Sequence, residues 1–269
     1  MTDPRAAGIE VADDRLPALT EAARAIAEDA GRIIMDIYRH GFDVTEKADA
    51  TPVTDADHAA EAAILPRLRA LTPDIPVISE EEAAAGTLPD CDGQTFWAVD
   101  PLDGTREFIA RSGEFSVNIG LIRDGIPALG VVHGPALDVS FFAAGTGTAM
   151  RAETGGPATP IATRPVPADG LTVIGSRSHG SSRKVQAFLA DKTVAGHSVM
   201  GSALKFGFLA DGSADVYARF GPTSEWDTAA GHAILCAAGG DVLSVDGGRL
   251  CYGKPRYLNG GFIAWGRVP

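Results

Sequence analysis

The sequence has 269 residues, 45% of them hydrophobic, and its 35 acidic against 23 basic side chains give a formal net charge of −12. That is enough chain for one large core or two closely packed halves, and 22% charged residues with 32 glycines fit a loop-rich globular enzyme rather than a coiled coil or a disordered chain. So acidic a chain is excluded from binding a nucleic-acid polymer, and an anionic substrate could approach only where bound cations reverse the local sign. Cys91, Cys236 and Cys251 show no ligand spacing and cannot all pair, which predicts a reducing, cytoplasmic setting, with association at the inner membrane face left open. Met1 to Val11 is polar and acidic with no apolar h-region, so no secretion signal is expected, and no stretch reaches the length of a membrane span.

Residues 16–40 carry apolar side chains at three- and four-residue steps (Leu16, Leu19, Ala23, Ile26, Ala30, Ile37) and predict a long amphipathic helix stopped at Gly41. An extended segment, 51–57, leads into a second helix, 58–71, bent or ended near Pro66, with Asp55 and Asp57 as caps. A short strand at 75–78 runs into Ser79-Glu80-Glu81-Glu82, of which Glu82 reads as a solvated acid, and 83–92 reads as a linker. Segments 116–122, 127–133 and 139–143, separated by turn residues, predict an antiparallel meander. Residues 146–172, rich in Gly, Pro, Ala and Thr, predict an irregular crossing and a boundary between two lobes. Beyond it strands and helices alternate: strands at 171–175, 197–200, 215–218 and 242–245, helices at 181–190, 201–209 and 226–238, the last stopped by Gly239-Gly240. Those two glycines read as a helix stop, not a phosphate loop.

The chemistry centres on Asp100-Pro101-Leu102-Asp103-Gly104-Thr105. The apolar run Phe96 to Val99 ends in two carboxylates three positions apart, which is costly to bury unless a cation neutralises them. Convergent oxygen ligands suit Mg²⁺; the Leu102 carbonyl offers a further oxygen, and the turn at Gly104-Thr105 offers N–H groups to a phosphate. The alternative is an Asp-Pro turn with a capping Asp. Glu80 repeats the device of an acid at a strand end. Asp227 falls in the first turn of its predicted helix, where the dipole alone would favour an acid by about 0.3–1 kcal/mol. His133, His197 and His232 have no recognisable partners and read as core or surface residues. Ser176 and Ser178 are not nucleophiles, since no Ser/His/acid arrangement is evident.

Glu80-Glu81, Asp100-Pro101-Leu102-Asp103-Gly104-Thr105, Trp226-Asp227 and Gly239-Gly240 resemble, in that order, the signature of the lithium-sensitive, Mg²⁺-dependent phosphatase superfamily that includes the inositol monophosphatases. Within it, Ser176-Arg177-Ser178-His179, Gly201 to Phe206 and Arg219 to His232 look like the CysQ-type 3'(2'),5'-bisphosphate nucleotidases. The resemblance spans residues 16 to about 262. It implies an α/β (α+β) layered sandwich in αβαβα order. Residues 1–150 would form an N-terminal α+β lobe with most of the acids, and 151–269 a C-terminal α/β lobe, packed as one compact unit.

It also implies two Mg²⁺ ions, one on Glu80, Asp100 and the Leu102 carbonyl, one shared by Asp100, Asp103 and Asp227, with Asp57 a candidate for a weaker third. Glu80, Thr105 and Asp57 would be catalytic. Gly104, Thr105, Ser176, His179, Gly201, Lys205, Arg219 and Asp227 would contact a phosphorylated nucleotide, Arg219 standing near a position where inositol monophosphatases carry an acid and suiting a second phosphate. The implied reaction takes adenosine 3',5'-bisphosphate to AMP and phosphate, with the sulfated nucleotide as a related substrate, in sulfate assimilation and under lithium inhibition. A homodimer is compatible with it. An inositol-phosphate or sugar-phosphate phosphatase and, from another class, a non-catalytic nucleotide or metal sensor remain alternatives.

Overall fold

The structure, a computed structural model, describes residues 13–47, 51–89, 91, 95–177 and 183–267. Helix α1 (Leu16–His40) ends, as its periodicity predicts, at Gly41. A small hairpin of β1 (Val44–Glu46) and β2 (Pro52–Thr54) follows. Helix α2 (Asp55–Leu71) is capped not by Asp55 but by Thr54, whose side chain accepts from the helix while Asp57 bonds back in a capping box. It also runs through Pro66 instead of ending there. Pro66 and Ala62 lie on the exposed face, so the carbonyl that loses its donor faces water.

Strand β3 (Val77–Ser79) and the single turn α3 (Glu80–Ala84) come next, then β4 (Phe96–Asp103), α4 (Thr105–Ile109), β5 (Ser116–Arg123), β6 (Ile126–Gly134) and β7 (Val139–Ala144). The predicted crossing is partly regular: β8 (Met150–Ala152) and β9 (Thr159–Pro160) extend the same sheet. Five residue pairs of backbone bonding are enough to hold so short an edge, which the Gly- and Pro-rich composition hid.

The second half holds β10 (Leu171–Ser176), α5 (Arg183–Leu189), β11 (Val194–Met200), α6 (Leu204–Ala210), β12 (Val216–Arg219) and β13 (Thr223–Ser224). Helix α7 (Ala229–Ala237) starts two residues after Asp227, later than the sequence predicts, and β14 (Asp241–Ser244) does not close the regular structure. After it β15 (Leu258–Asn259) pairs with β13, and β16 (Phe262–Trp265) lies between β12 and β14.

The first sheet has the order β3-β4-β5-β6-β7-β8-β9, antiparallel except for the β3–β4 pair; the second, β11-β10-β12-β16-β14, is mixed. Three buried clusters join the layers. One binds α1 and α2 to a face of the first sheet (Ile34, Leu68, Trp97, Ile119). A second packs α6 and α7 between both sheets (Leu204, Ile234, Phe141, Phe262). The third sets Phe188 and Leu189 of α5 on the outer face of the second sheet, against Val173 and Trp265. The order is therefore αβαβα.

The central packing is unusually close where α7 crosses β5 and β6. A Cβ on Gly120 would stand 2.9 Å from the Ala230 nitrogen, and one on Gly130 would run into the Ala230 carbonyl. Main chain rests on main chain there, so Gly130→Ala is expected to cost about 3 kcal/mol by overpacking, read as a lower urea midpoint at unchanged slope.

On the other face of the sheet His133 is buried against α1, its Nδ1 2.9 Å from the Ser140 hydroxyl. Burial pulls its pKa from 6.5 down to about 4, against a smaller opposing pull from Glu28. Between those pH values the unfolded chain binds a proton that the folded one refuses. Stability is thus full above pH 6.5 and falls by about 3 kcal/mol as pH drops to 4. Urea titrations over that range should reveal this component in the wild type and lack it in His133→Gln.

Candidate active site

Strand β4 builds the centre of the site. Asp100 and Asp103 are an odd number of residues apart, so a regular strand would put them on opposite faces. The β4–β5 register shifts here: Asp100 opposes Asn118 and Asp103 opposes Ser116, two residues of β4 standing against one of β5. This bulge, at Pro101 where no ladder N–H exists, brings both acids to the same cleft.

Asp100 is fully buried and its Oδ1 accepts from the Leu102 N–H at 3.1 Å. Asp103 Oδ2 accepts from Asn118 Nδ2 at 3.2 Å and from the Ala203 N–H at 2.6 Å. Gly104 then turns the chain in the left-handed region (φ 93°), where a side chain would be strained, and opens α4. The Thr105 hydroxyl lies 3.1 Å from Asp57 Oδ1 and 3.3 Å from the Leu102 carbonyl; it has one proton and serves one acceptor at a time. Asp57 Oδ2 is already held by the Thr54 N–H and hydroxyl at 2.8 and 2.7 Å. A helix cap thus also aims the Thr105 hydroxyl.

Glu80 begins α3 at the end of β3, next to β4, and Asp227 arrives from the second half of the chain, its Oδ2 accepting from the Ser224 N–H at 3.0 Å. Oxygens of Glu80, Asp100 and Asp227 all lie within 4.8 Å of one another. Burial pushes the pKa of all three up, and mutual repulsion among the acids adds to it; Asp100 and Asp227 rise well above the usual carboxylate range. Burial also raises Asp103, offset by Lys205. Four acids that destabilise one another's charge are a set that a divalent cation would relieve, and all-oxygen donors fit Mg²⁺.

The cleft is about 570 Å³ and its lining includes Glu80, Asp100, Asp103, Thr105, Ser176, Lys205, Arg219 and Asp227. Lys205 is buried beside the Tyr217 ring, its ammonium donating to the carbonyls of Ser202 and Met200, and burial lowers its pKa to about 8. Arg219 donates from an Nη to the Pro222 carbonyl at 2.9 Å, while its Nε and the Thr223 hydroxyl are buried with no partner among the described residues. Gly201 does not line the cleft: its N–H donates to Glu114 Oε2 at 2.9 Å. His179 and Ser178 lie outside the described residues.

Sequence reasoning missed Lys47, whose ammonium in the hairpin region bridges Glu80 at 2.6 Å and Glu81 at 2.7 Å. Burial lifts Glu81 to about 7 despite that contact. Nothing local marks Lys47, since its partners are more than thirty residues away. Asn118 was detectable: an amide in the middle of a buried, mostly apolar strand needs a partner. Glu82, read as solvated, is paired with Arg69.

A layered αβαβα sandwich with a carboxylate cleft at the strand ends defines a class, and residues 16–265 match the sequence profile of the inositol monophosphatase family, to which this chain belongs. Among its relatives, the 3'(2'),5'-bisphosphate nucleotidase CysQ of Salmonella typhimurium is 46% identical over 248 residues, 91% of this chain and 98% of that one. The protein of the same name from Escherichia coli K12 is 45% identical over 241 residues, covering 88% and 95%. The crystal structure of CysQ from Bacteroides thetaiotaomicron superposes with a TM-score of 0.77 at 34% identity, covering 94% of this chain and 98% of that one. An inositol monophosphatase from Anabaena gives 0.74 at 26% identity, covering 94% and 92%. Among the described residues, no helix is long and apolar enough to cross a membrane.

Proposed function

We propose that this chain is a Mg²⁺-dependent 3'(2'),5'-bisphosphate nucleotidase that takes adenosine 3',5'-bisphosphate to AMP and phosphate, with the sulfated nucleotide as a second substrate. The observation that carries the reading is the meeting of Glu80, Asp100 and Asp227 within 4.8 Å in a cleft that also holds Lys205 and Arg219. Relatives named as such nucleotidases at 45–46% identity over most of the chain support the substrate class.

Glu80, Asp100 and the Leu102 carbonyl would hold one Mg²⁺, and Asp100, Asp103 and Asp227 a second. Bound there, the ions supply Lewis-acid stabilisation of the charge that develops on the phosphoryl oxygens. The protein's own groups do the positioning. Thr105 donates to Asp57, which leaves its oxygen lone pairs to accept from the attacking water. Glu80, which lines the same cleft, would take that water's proton. Lys205 and Arg219 offer cationic charge to the phosphate that is not cleaved, and the bare Nε of Arg219 and the Thr223 hydroxyl have donor capacity to spend on it.

Phosphate release from adenosine 3',5'-bisphosphate, its sulfated relative and inositol monophosphate, with and without Mg²⁺ and Li⁺, tests the reading. Mg²⁺-dependent, Li⁺-inhibited turnover of the nucleotides is expected; faster turnover of the inositol ester would overturn the substrate, and binding without release would leave a sensor. Arg219→Glu should lower nucleotide turnover at least tenfold more than inositol monophosphate turnover, because a bidentate charge-assisted contact becomes a repulsion. Equal losses on both substrates would refute that role for Arg219.

A further inference from the structure

The cysteines show no ligand spacing to one another, and His232, expected as a core or surface residue, is buried; the structure adds that it gathers with Cys236 and Asp241. His232 and Cys236 are four residues apart and so face the same side of α7. The turn at Gly239-Gly240 then folds Asp241, the first residue of β14, back onto that face. A ligand atom from each of His232, Cys236 and Asp241 lies within 4.8 Å of the other two.

The proton on the imidazole can be placed by following the hydrogen bonds inward. The Thr228 hydroxyl donates to the Glu225 carbonyl at 3.2 Å and accepts from Asn259 Nδ2 at 2.9 Å. Its remaining lone pair accepts the Tyr252 hydroxyl at 3.2 Å. With the Tyr252 hydroxyl donating to Thr228, we assign the imidazole proton to Nδ1, which then donates to the phenol oxygen across the 3.0 Å contact. His232 Nε2 is left as a bare lone pair. It is buried and has no hydrogen-bond partner among the described residues, and the nearest Asp241 oxygen, at 3.8 Å, is beyond hydrogen-bond reach. A buried imidazole oriented by a second group, with its other nitrogen unpartnered and facing a thiol and a carboxylate, has the arrangement of a metal ligand.

We propose that His232 Nε2, Cys236 Sγ and an Asp241 carboxylate oxygen form a second metal site, for a borderline-soft divalent cation of the zinc class, distinct from the all-oxygen cleft. A nitrogen–sulfur–oxygen donor set selects Zn²⁺ over Mg²⁺. Cys236 and Asp241 are only partly buried, which leaves a path for the ion and room for a water as fourth ligand. On binding, the cation replaces the thiol proton, which leaves to solvent, and thiolate and carboxylate together balance its charge. The contacts that compete for Asp241 are weak: Cys236 Sγ and Arg249 Nε each stand 3.6 Å from Oδ1, and the Arg249 side chain is half exposed and free to withdraw. The bond from the Val242 N–H, at 2.9 Å, would hold the carboxylate in place. Such an ion would tie the end of α7 to the edge of the second sheet.

The test is Co²⁺ titration of the chelator-treated 269-residue chain in excess Mg²⁺. A thiolate-to-cobalt charge-transfer band should grow to one equivalent and be bleached by one equivalent of Zn²⁺. It should vanish in Cys236→Ser, weaken at least tenfold in affinity in Asp241→Asn, and persist in Cys91→Ser, Cys251→Ser and Asp100→Asn, because the carboxylate cleft contains no sulfur. Zn²⁺ should also raise the melting temperature by about 5 °C in the wild type and not in Cys236→Ser. No band in the wild type, or a band that survives Cys236→Ser, overturns the proposal whatever the substrate of the enzyme turns out to be.

Discussion

Asp100→Asn is expected to abolish phosphate release, by at least about a thousandfold, while making the metal-free protein more stable. The two effects have one cause. Asp100 is fully buried at the meeting point of four acids, and its charged form is disfavoured by burial first and then by Glu80, Asp103 and Asp227. The amide keeps an oxygen to accept the Leu102 N–H but gives up the charge that would hold both ions. Losing about 4 kcal/mol of transition-state stabilisation corresponds to that loss of rate. Relief of repulsion should add about 0.5–2 kcal/mol in chelator, as at other sites where function opposes stability. Paired melting curves with and without Mg²⁺ check this: Mg²⁺ should stabilise the wild type and leave the variant nearly unmoved. A variant less stable than wild type in chelator would count against the electrostatic account.

Thr105→Val should lower kcat by about 10²–10⁴-fold with little change in Mg²⁺ affinity. Valine keeps the shape of the side chain and removes only the hydroxyl that Asp57 aims. Asp57 loses a donor but retains two from Thr54, so α2 keeps its cap. Steady-state kinetics across Mg²⁺ concentrations separates the readings: a fall in kcat at constant Mg²⁺ requirement supports proton handling by Thr105, whereas an unchanged kcat excludes it.

The acids were legible because each breaks a local rule. Glu80 directly follows a buried strand and Asp100 directly follows the apolar run Phe96 to Val99 inside one, where charge is costly without a counter-ion, and that conflict can be read one segment at a time. The long period of α1 and the alternating meander were legible for similar reasons. What escaped depends on distant chain. Lys47 finds Glu80 and Glu81 only after the hairpin folds over. β16 takes its place between β12 and β14 by pairing with strands far back in sequence, and four residues near the C-terminus carry no sign of that. The bulge at Pro101 could be suspected from proline, but that it turns Asp103 to the side of Asp100 is a fact of register. His232 and Cys236 had helical spacing in plain view; Asp241 joined them only through the turn at Gly239-Gly240.

The glycine seat under α7 has a consequence for how the cleft can adapt. With Gly120 and Gly130 presenting bare backbone to Ala230, helix and sheet meet almost main chain to main chain at these two points and have little there to compress or slide on. Asp227, two residues before that helix, therefore hangs from one of the most closely seated elements of the fold, which ties the place of this acid to two glycines outside the cleft.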